Sequence, residues 1–218
     1  MKRPTVTLCY TQTLDGRLAT ATGQSQWIGG GESVTYAHQL RAEHDAIMVG
    51  VGTVLKDNPR LTVRHVAGHD PLRVVVDSTL RTPLDAAVLH GGAAHGTLLA
   101  VTERAPAECV AAMETLGATL LTMPADADGR VSLYALMAAL AERGVGSVMV
   151  EGGAALITAL LRERMVDRMA VCVSPRIMGA GIAAVGDLGI RELASMIKLM
   201  DVQVQQFGAD VVFDGRVV

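Results

Sequence analysis

The sequence predicts an α/β protein: a mixed, largely parallel sheet flanked by helices, with an antiparallel hairpin at its C-terminal end. Three observations predict it. Short continuous apolar runs recur along the chain, helical stretches separate several of them, and the tail carries two strand-like runs around a glycine turn.

Taken in order, residues 6–10 are β-branched and aromatic and run toward the turn-prone pair Asp15-Gly16, the pattern of a strand. Gly29-Gly30-Gly31 breaks the chain before residues 32–43, where Val34, Ala37 and Leu40 recur at helical spacing. Residues 46–49 are continuously apolar and end in Gly50-Val51-Gly52, as expected of a strand buried on both faces and followed by a loop. Similar runs stand at 72–76, 97–101, 118–121, 148–150 and 169–173, with helical stretches at 107–116, 133–143 and 154–164. Strands alternating with helices of this length need crossover connections, so their sheet is mostly parallel. Residues 202–206 and 211–213 flank Gly208-Ala209-Asp210 and read as a hairpin. Residues 84–96, with Gly91-Gly92 and two histidines, carry no periodicity and are expected to form a surface loop.

The 218 residues are 50% hydrophobic, enough for one sizeable core, and a single domain over 1–218 is expected. The net charge is −3 and the basic residues are scattered, which gives no electrostatic footprint for nucleic acid or an anionic membrane. A small molecule is the expected partner. Cys9, Cys109 and Cys172 are odd in number and never form a C-x-x-C pair, arguing against a disulfide framework or zinc knuckle and for a reducing compartment. No apolar run reaches the roughly 18 residues of a membrane span, and the N-terminus leads directly into a strand-like stretch, so a cytoplasmic location is expected.

Three constellations carry candidate chemistry. The first is the stretch from Thr11 to Arg17, followed by Ser25-Gln26-Trp27-Ile28. In a chain only 3% aromatic, the lone Trp27 either fills core or, beside polar Ser25 in a glycine-flanked loop, presents a planar wall to a cofactor. The second joins Arg41-Ala42-Glu43-His44-Asp45 to the stretch from Gly50 through Thr53, Asp57 and Leu61 to Arg64. Glycines after a buried strand let backbone N–H groups approach an anion, and Thr53 is placed to cap a short helix. The Gly-x-Gly lacks the third glycine of the dinucleotide fingerprint, and no acidic residue follows at the usual distance, so a standard Rossmann site is not supported. Arg41 and Arg64 are either solvated surface residues or bidentate donors to a substrate phosphate.

The third constellation runs from Val148 to Ile157, where an apolar strand ends in Glu151, then Gly152-Gly153, then a helix. The C-terminal edge of such a sheet is where α/β proteins bind ligands, and N–H groups of Gly152 and Gly153 would hold a pyrophosphate. Glu151 either accepts hydrogen bonds from substrate hydroxyls or ring N–H groups, or stabilises the helix start. The histidines include no H-E-x-x-H, and neither a G-x-S-x-G elbow nor the zinc-deaminase signature is present. No metal is expected, and hydrolysis and deamination are unsupported.

Together these motifs resemble the reductase domain of the bifunctional riboflavin protein RibD and the stand-alone diaminopyrimidine reductases of fungi and archaea. The resemblance spans nearly the whole chain. It rests on Thr13-Leu14-Asp15-Gly16, the Gly23-to-Ile28 loop, Leu40-Arg41-Ala42, Val49-Gly50-Val51-Gly52-Thr53-Val54, Asp57-Asn58-Pro59, Leu61-Thr62-Val63-Arg64, Val76-Asp77-Ser78 and Glu151-Gly152-Gly153. It implies a dihydrofolate-reductase-like fold, NADPH as hydride donor, a homodimer, and reduction of the ribosyl group of a ribosylaminopyrimidine 5′-phosphate to ribityl. It assigns Thr11, Trp27, Thr53, Asp57 and Ser78 to the cofactor, with Gly152, Gly153, Ala154, Ala155 and Leu156 around its phosphates. Ser25, Arg41, Leu61, Arg64 and Glu151 fall to the substrate, and Asp57 and Glu151 are the candidate catalytic residues. One departure stands out: bacterial bifunctional members carry a lysine where this chain has Cys9, while the Ser25-Gln26-Trp27 loop is similar to theirs. The rival expectations are a pterin or other cyclic-imine reductase and a non-catalytic NADPH-binding module.

Overall fold

The structure, a computed structural model, describes residues 2–218. In chain order its elements are β1 (Thr5–Thr13), β2 (Arg17–Thr20), α1 (Gly31–Glu43), β3 (Ala46–Gly50), α2 (Val51–Asp57), β4 (Leu72–Val76), β5 (Thr97–Val101), α3 (Ala107–Thr115), β6 (Thr119–Thr122), α4 (Leu133–Glu142), β7 (Ser147–Glu151), α5 (Ala154–Arg162), β8 (Arg168–Ser174), β9 (Gly181–Ala183), β10 (Leu199–Phe207) and β11 (Asp210–Val217). The chain divides into two compact units, one built mainly of residues 41–148 and the other of residues 5–40 and 149–218; the boundary falls inside β7.

In the first unit the strand order is β7-β3-β4-β5-β6, and β3 through β6 pair in parallel. The apolar runs are explained by burial: Ala46, Ile47, Met48 and Val49 are fully buried, as are Leu99, Ala100 and Val101. Asp45 ties the starts of two strands together, its Oδ2 accepting from the N–H groups of Gly146 and Ser147, each at 2.9 Å. Helix α4 begins at Ser132, whose hydroxyl accepts from Ala135 N–H at 3.3 Å, and buries Leu133, Leu136, Met137 and Leu140 on one face. The stretch 84–96 corrects the expected surface loop. Ala86, Val88, Leu89 and Ala94 are buried in the same cluster as Ile47 and Leu99, and the segment ends in a short 3₁₀ turn. Its apolar residues are spaced by turns rather than by a helix or strand period, which hid the burial.

In the second unit the order is β10-β11-β8-β1-β7. Strand β1 pairs in parallel with β8, β8 in antiparallel with β11, and β11 with β10. The predicted hairpin is present, longer than the sequence suggested, and its turn is Gly208-Ala209 between paired Phe207 and Asp210; Gly208 at φ +61 supplies the left-handed turn. Asp210 is therefore a strand residue, and its side chain works at long range. Its Oδ2 accepts from Gly30 N–H at 2.6 Å and from Ser33 Oγ at 2.7 Å, holding the start of α1. A Cβ on Gly29 would lie 2.8 Å from Ser33 Oγ and 3.0 Å from Asp210 Oδ2, so this approach requires glycine. Further along α1, Tyr36 donates to Asp214 Oδ2 at 2.6 Å and packs its ring 4.9 Å from that of Phe207. Arg168 grips the same carboxylate from both sides, Nε to Oδ1 at 2.8 Å and Nη2 to Oδ2 at 2.6 Å. A small second sheet, β2 with β9, was not apparent from the sequence. Among the described residues no helix is long and apolar enough to cross a membrane.

Candidate active site

In the first unit, β3 and β4 are parallel with Gly50 opposite Val76, so the turn after β3 and the Asp77-Ser78 pair after β4 leave the sheet at one edge. Helix α2 starts at Val51 with Gly50 as its N-cap. Thr53 is thus inside the helix and not its cap, a correction to the expectation: the chain turns directly from strand to helix with no intervening loop. Gly52 is exposed, and a Cβ there would meet nothing within 4 Å, so this turn offers open backbone. Ser78 is firmly placed. Its Oγ accepts from Val131 N–H at 3.0 Å, leaving its proton to donate, and its carbonyl accepts from Thr102 Oγ1 at 2.7 Å. Beside it, Asp77 is fully buried; Oδ2 accepts from the N–H and hydroxyl of Thr82 at 2.7 and 2.8 Å, whereas Oδ1 has no hydrogen-bond partner among the described residues.

Asp57 closes α2, and Asn58 follows in the left-handed conformation. Leu61, expected at the substrate, is only 2% exposed yet sits at φ +54. A branched aliphatic residue in that region stores about 1–3 kcal/mol, and strain of this kind collects at ligand sites. At the next residue, two candidate phosphate ligands converge. Arg41 donates through Nη1 to Thr62 O at 2.5 Å, and Arg64 donates through Nη1 to Thr62 O at 3.3 Å and Thr62 Oγ1 at 2.8 Å. Arg41 is buried, which removes the solvated-surface reading for it; Arg64 is exposed.

In the second unit, β1 brings Thr11 opposite Cys172 of β8 and ends at Thr13. Asp15 then fastens the following turn. Its carboxylate accepts from Thr13 Oγ1 at 2.6 Å, Met178 N–H at 3.0 Å and Gly179 N–H at 2.7 Å, and these bonds, led by that from Thr13, hold its pKa down at about 2. Ser25 is half-buried. Trp27 is 77% exposed with φ +67, and its carbonyl accepts from Arg176 Nη1 at 2.5 Å. That exposure removes the reading of Trp27 as core. Cys9, by contrast, is buried against Leu40, Met149 and Ala170.

Strand β7 ends at Glu151, and Gly152 and Gly153 follow at φ +69 and +84 before α5 begins at Ala154. Both glycines are required by the backbone. The N-cap residue Gly153 has no side chain to offer the first turn of α5, and a Cβ on Gly152 would meet nothing within 4 Å. N–H groups at the start of a nine-residue helix, beside open space, suit an anionic group such as a cofactor phosphate. Helix α5 is held by Leu156, Ile157, Leu160 and Leu161, all buried. Sequence reasoning gave no role to Thr62, Asp77, Ser33 and Asp210, although Thr62 and Asp77 lay within motifs it had singled out and Asp210 in the hairpin turn. Among the described residues no group of three or more His, Cys, Asp and Glu side chains is placed to hold a metal ion.

The sequence model of the RibD C-terminal domain matches residues 4–213. The chain is 41% identical over 217 residues to the 2,5-diamino-6-ribosylamino-4(3H)-pyrimidinone 5′-phosphate reductase of Methanothermobacter thermautotrophicus, covering 97% of each protein. It is 39% identical over 212 residues to the riboflavin biosynthesis protein RibD of Aquifex aeolicus, covering 97% of this chain but 57% of that one. The solved structure of Acinetobacter baumannii RibD superposes with a TM-score of 0.85 at 26% identity, covering 99% of this chain and 58% of that chain. The chain thus spans a little over half the length of the RibD proteins it matches and nearly all of the archaeal reductase. With the family model matching residues 4–213 and relatives 39–41% identical over almost the whole chain, the chain belongs to the RibD C-terminal domain family.

Proposed function

We propose that this chain is an NADPH-dependent reductase that converts the ribosyl group of a ribosylaminopyrimidine 5′-phosphate to ribityl in riboflavin biosynthesis. The observation that carries this reading is the convergence of Arg41 and Arg64 on Thr62. Two guanidiniums brought to one threonine form a positive fork suited to a phosphate dianion. The archaeal relative, named as a 5′-phosphate reductase and matched end to end, supports it.

When bound, NADPH supplies the hydride that C1′ of the ring-opened substrate imine accepts. The chain's own residues bind and orient. Gly152, Gly153, Ala154, Ala155 and Leu156 would hold phosphate through backbone N–H groups at the start of α5, and Thr11, Trp27, Thr53, Asp57 and Ser78 would contact the rest of the cofactor. Arg41 and Arg64 would anchor the substrate phosphate, with Ser25, Leu61 and Glu151 completing its contacts. Anchoring a remote phosphate converts binding energy into positioning at the reacting carbon, where a reacting-atom separation of about 3–3.5 Å is worth several kcal/mol. Asp57 and Glu151 are the carboxylates proposed to manage the proton.

A homodimer in the cytoplasm completes the proposal. Val204 on edge strand β10 and Phe213 opposite it form an exposed apolar cross-strand pair, a surface a second copy would cover, and among the described residues no cysteine is in a disulfide. Light scattering at twice the chain mass is expected. The deciding experiment offers the diaminopyrimidinone phosphate, the aminouracil phosphate and dihydrofolate in turn with NADPH and follows nicotinamide absorbance. Oxidation with either pyrimidine and none with dihydrofolate is expected. Dihydrofolate-dependent oxidation would instead select a pterin reductase, and NADPH binding without oxidation a non-catalytic module.

A further inference from the structure

The first unit holds a cleft of about 740 Å³ lined by Arg60, Asp70, Arg73, His90, Gly91 and Gly92, among others. It lies where β4 and β5 begin, since Leu72 and Gly96 line it, whereas the Gly52 and Ser78 turns lie where β3 and β4 end. Its volume is in the range of small-molecule sites.

At its wall is a buried cation. Arg73 is 5% exposed, and its guanidinium is fixed on one side: Nε donates to Thr97 Oγ1 at 3.0 Å and Nη2 to Ala93 O at 2.5 Å. Room for it is made by Gly96, where a Cβ would lie 2.5 Å from Nη2. Among the described residues the remaining nitrogen, Nη1, makes no hydrogen bond; it forms a long ion pair, 3.9 Å, with Asp70 Oδ2 of a half-exposed side chain. Asp70 is itself committed elsewhere, Oδ1 accepting from Val63 N–H at 2.7 Å. Burial pulls the Arg73 guanidinium below its ordinary pKa, and Asp70 opposes this only in part. Arg60 adds a second guanidinium to the lining. His90, also in the lining, donates from Nε2 to Asp85 O at 2.6 Å. Against two arginines stands one carboxylate, on a chain whose net charge is −3. The Arg73 guanidinium lines the cleft with its nearest carboxylate oxygen 3.9 Å away, and so can meet an anion there.

We propose that this cleft is a second anion site, adjoining the Arg41–Arg64 fork at Thr62, which also lines the cleft, and that it takes a phosphate monoester: its phosphoryl oxygens lie against Arg73 Nη1 and Arg60, and its organic body fills the rest of the cleft. The cleft is too large for phosphate alone, and the open φ-positive glycines Gly91 and Gly92, where added Cβ atoms would meet nothing within 4 Å, leave backbone accessible to that body.

The test is a site-resolved titration of the full chain by amide NMR with ribose 5-phosphate, inorganic phosphate and ribose. Saturable shifts of the Gly91, Gly92 and Gly96 amides are expected with ribose 5-phosphate at a midpoint at least five-fold below that of inorganic phosphate, and none with ribose. R60A should raise that midpoint about ten-fold while leaving NADPH turnover intact, and R73K, which keeps the charge but loses the fork, should raise it as well. R64A should leave it unchanged. Glycine amides that do not move, an R60A midpoint equal to wild type, or equal midpoints for phosphate and monoester would each overturn the proposal. The outcome is independent of the catalytic reading, which R64A tests separately through the substrate KM.

Discussion

Two strand-to-helix turns in this chain look alike in sequence and differ in what demands their glycines. After β7, Gly152 and Gly153 stand at φ +69 and +84, a conformation other residues enter only at a cost, so Glu-Gly-Gly is dictated by the backbone itself. After β3, Gly50 has an ordinary extended conformation, and Gly52 sits exposed inside α2 with open space where a Cβ would be. Nothing in the fold of the first unit demands a glycine at 52. A glycine that the backbone needs and a glycine that a ligand needs are therefore separable here by experiment.

The largest effect is expected from the residue before the backbone-dictated pair. Glu151→Gln should lower turnover by about a hundred-fold with the unfolding transition unchanged, the range for losing a positioned acid or base; full activity would reduce Glu151 to part of the helix start. Next, Arg64→Ala should raise KM for the phosphorylated substrate roughly ten- to hundred-fold, the size of a lost charge-assisted contact, with KM for NADPH unmoved. If Arg41→Ala and Arg64→Ala both left the substrate KM alone, the first unit would lose its assigned phosphate fork.

The two glycines then give the direct contrast. Gly152→Ala should destabilise the protein by about 1–2 kcal/mol in urea unfolding, because alanine resists positive φ. Asp214→Asn should cost about 1 kcal/mol at neutral pH by loosening the grip of Arg168 and Tyr36. Burial pushes the Asp214 carboxyl up, but hydrogen bonds from Arg168 and Tyr36 bring its pKa below the ordinary carboxylate value. Its stabilising contribution is thus complete above about pH 4 and disappears as pH falls through the lowered folded value, so wild type and variant should converge in acid. Smallest, and of opposite sign to Gly152→Ala, Gly52→Ala should stabilise by about 0.4–1 kcal/mol as a helical glycine is replaced, while raising KM for NADPH. A stability loss there would erase the distinction between the two turns.

What could be read from the sequence follows the same line between local and remote causes. The buried strands 46–49, 72–76 and 97–101 announce themselves because burial on both faces leaves only apolar residues, and Glu151-Gly152-Gly153 because positive φ restricts the residue type locally. Asp210 gave no sign of its role: its partners Gly30 and Ser33 lie 180 and 177 residues away, and a strand aspartate beside a turn looks like a turn former. Thr62 escaped notice because the contribution common to both arginines is a carbonyl, which every residue has. The left-handed conformations of Trp27 and Leu61 run against residue preference, so no propensity argument could have supplied them.

The division of the chain has a consequence for how it is made. Residues 41–148 can close into a unit as soon as they have emerged from the ribosome, but β1 lacks β8 until residue 174, and the start of α1 lacks Asp210 until residue 210, has been translated. At about 5–20 residues per second, residues 149–218 take several seconds to appear. Throughout that interval Val6, Leu8 and Leu40, all buried in the finished protein, have no completed unit to enter. Residues 5–40 are thus sheltered only after residues 149–218 have followed them, and nascent-chain capture by chaperones should concentrate on them.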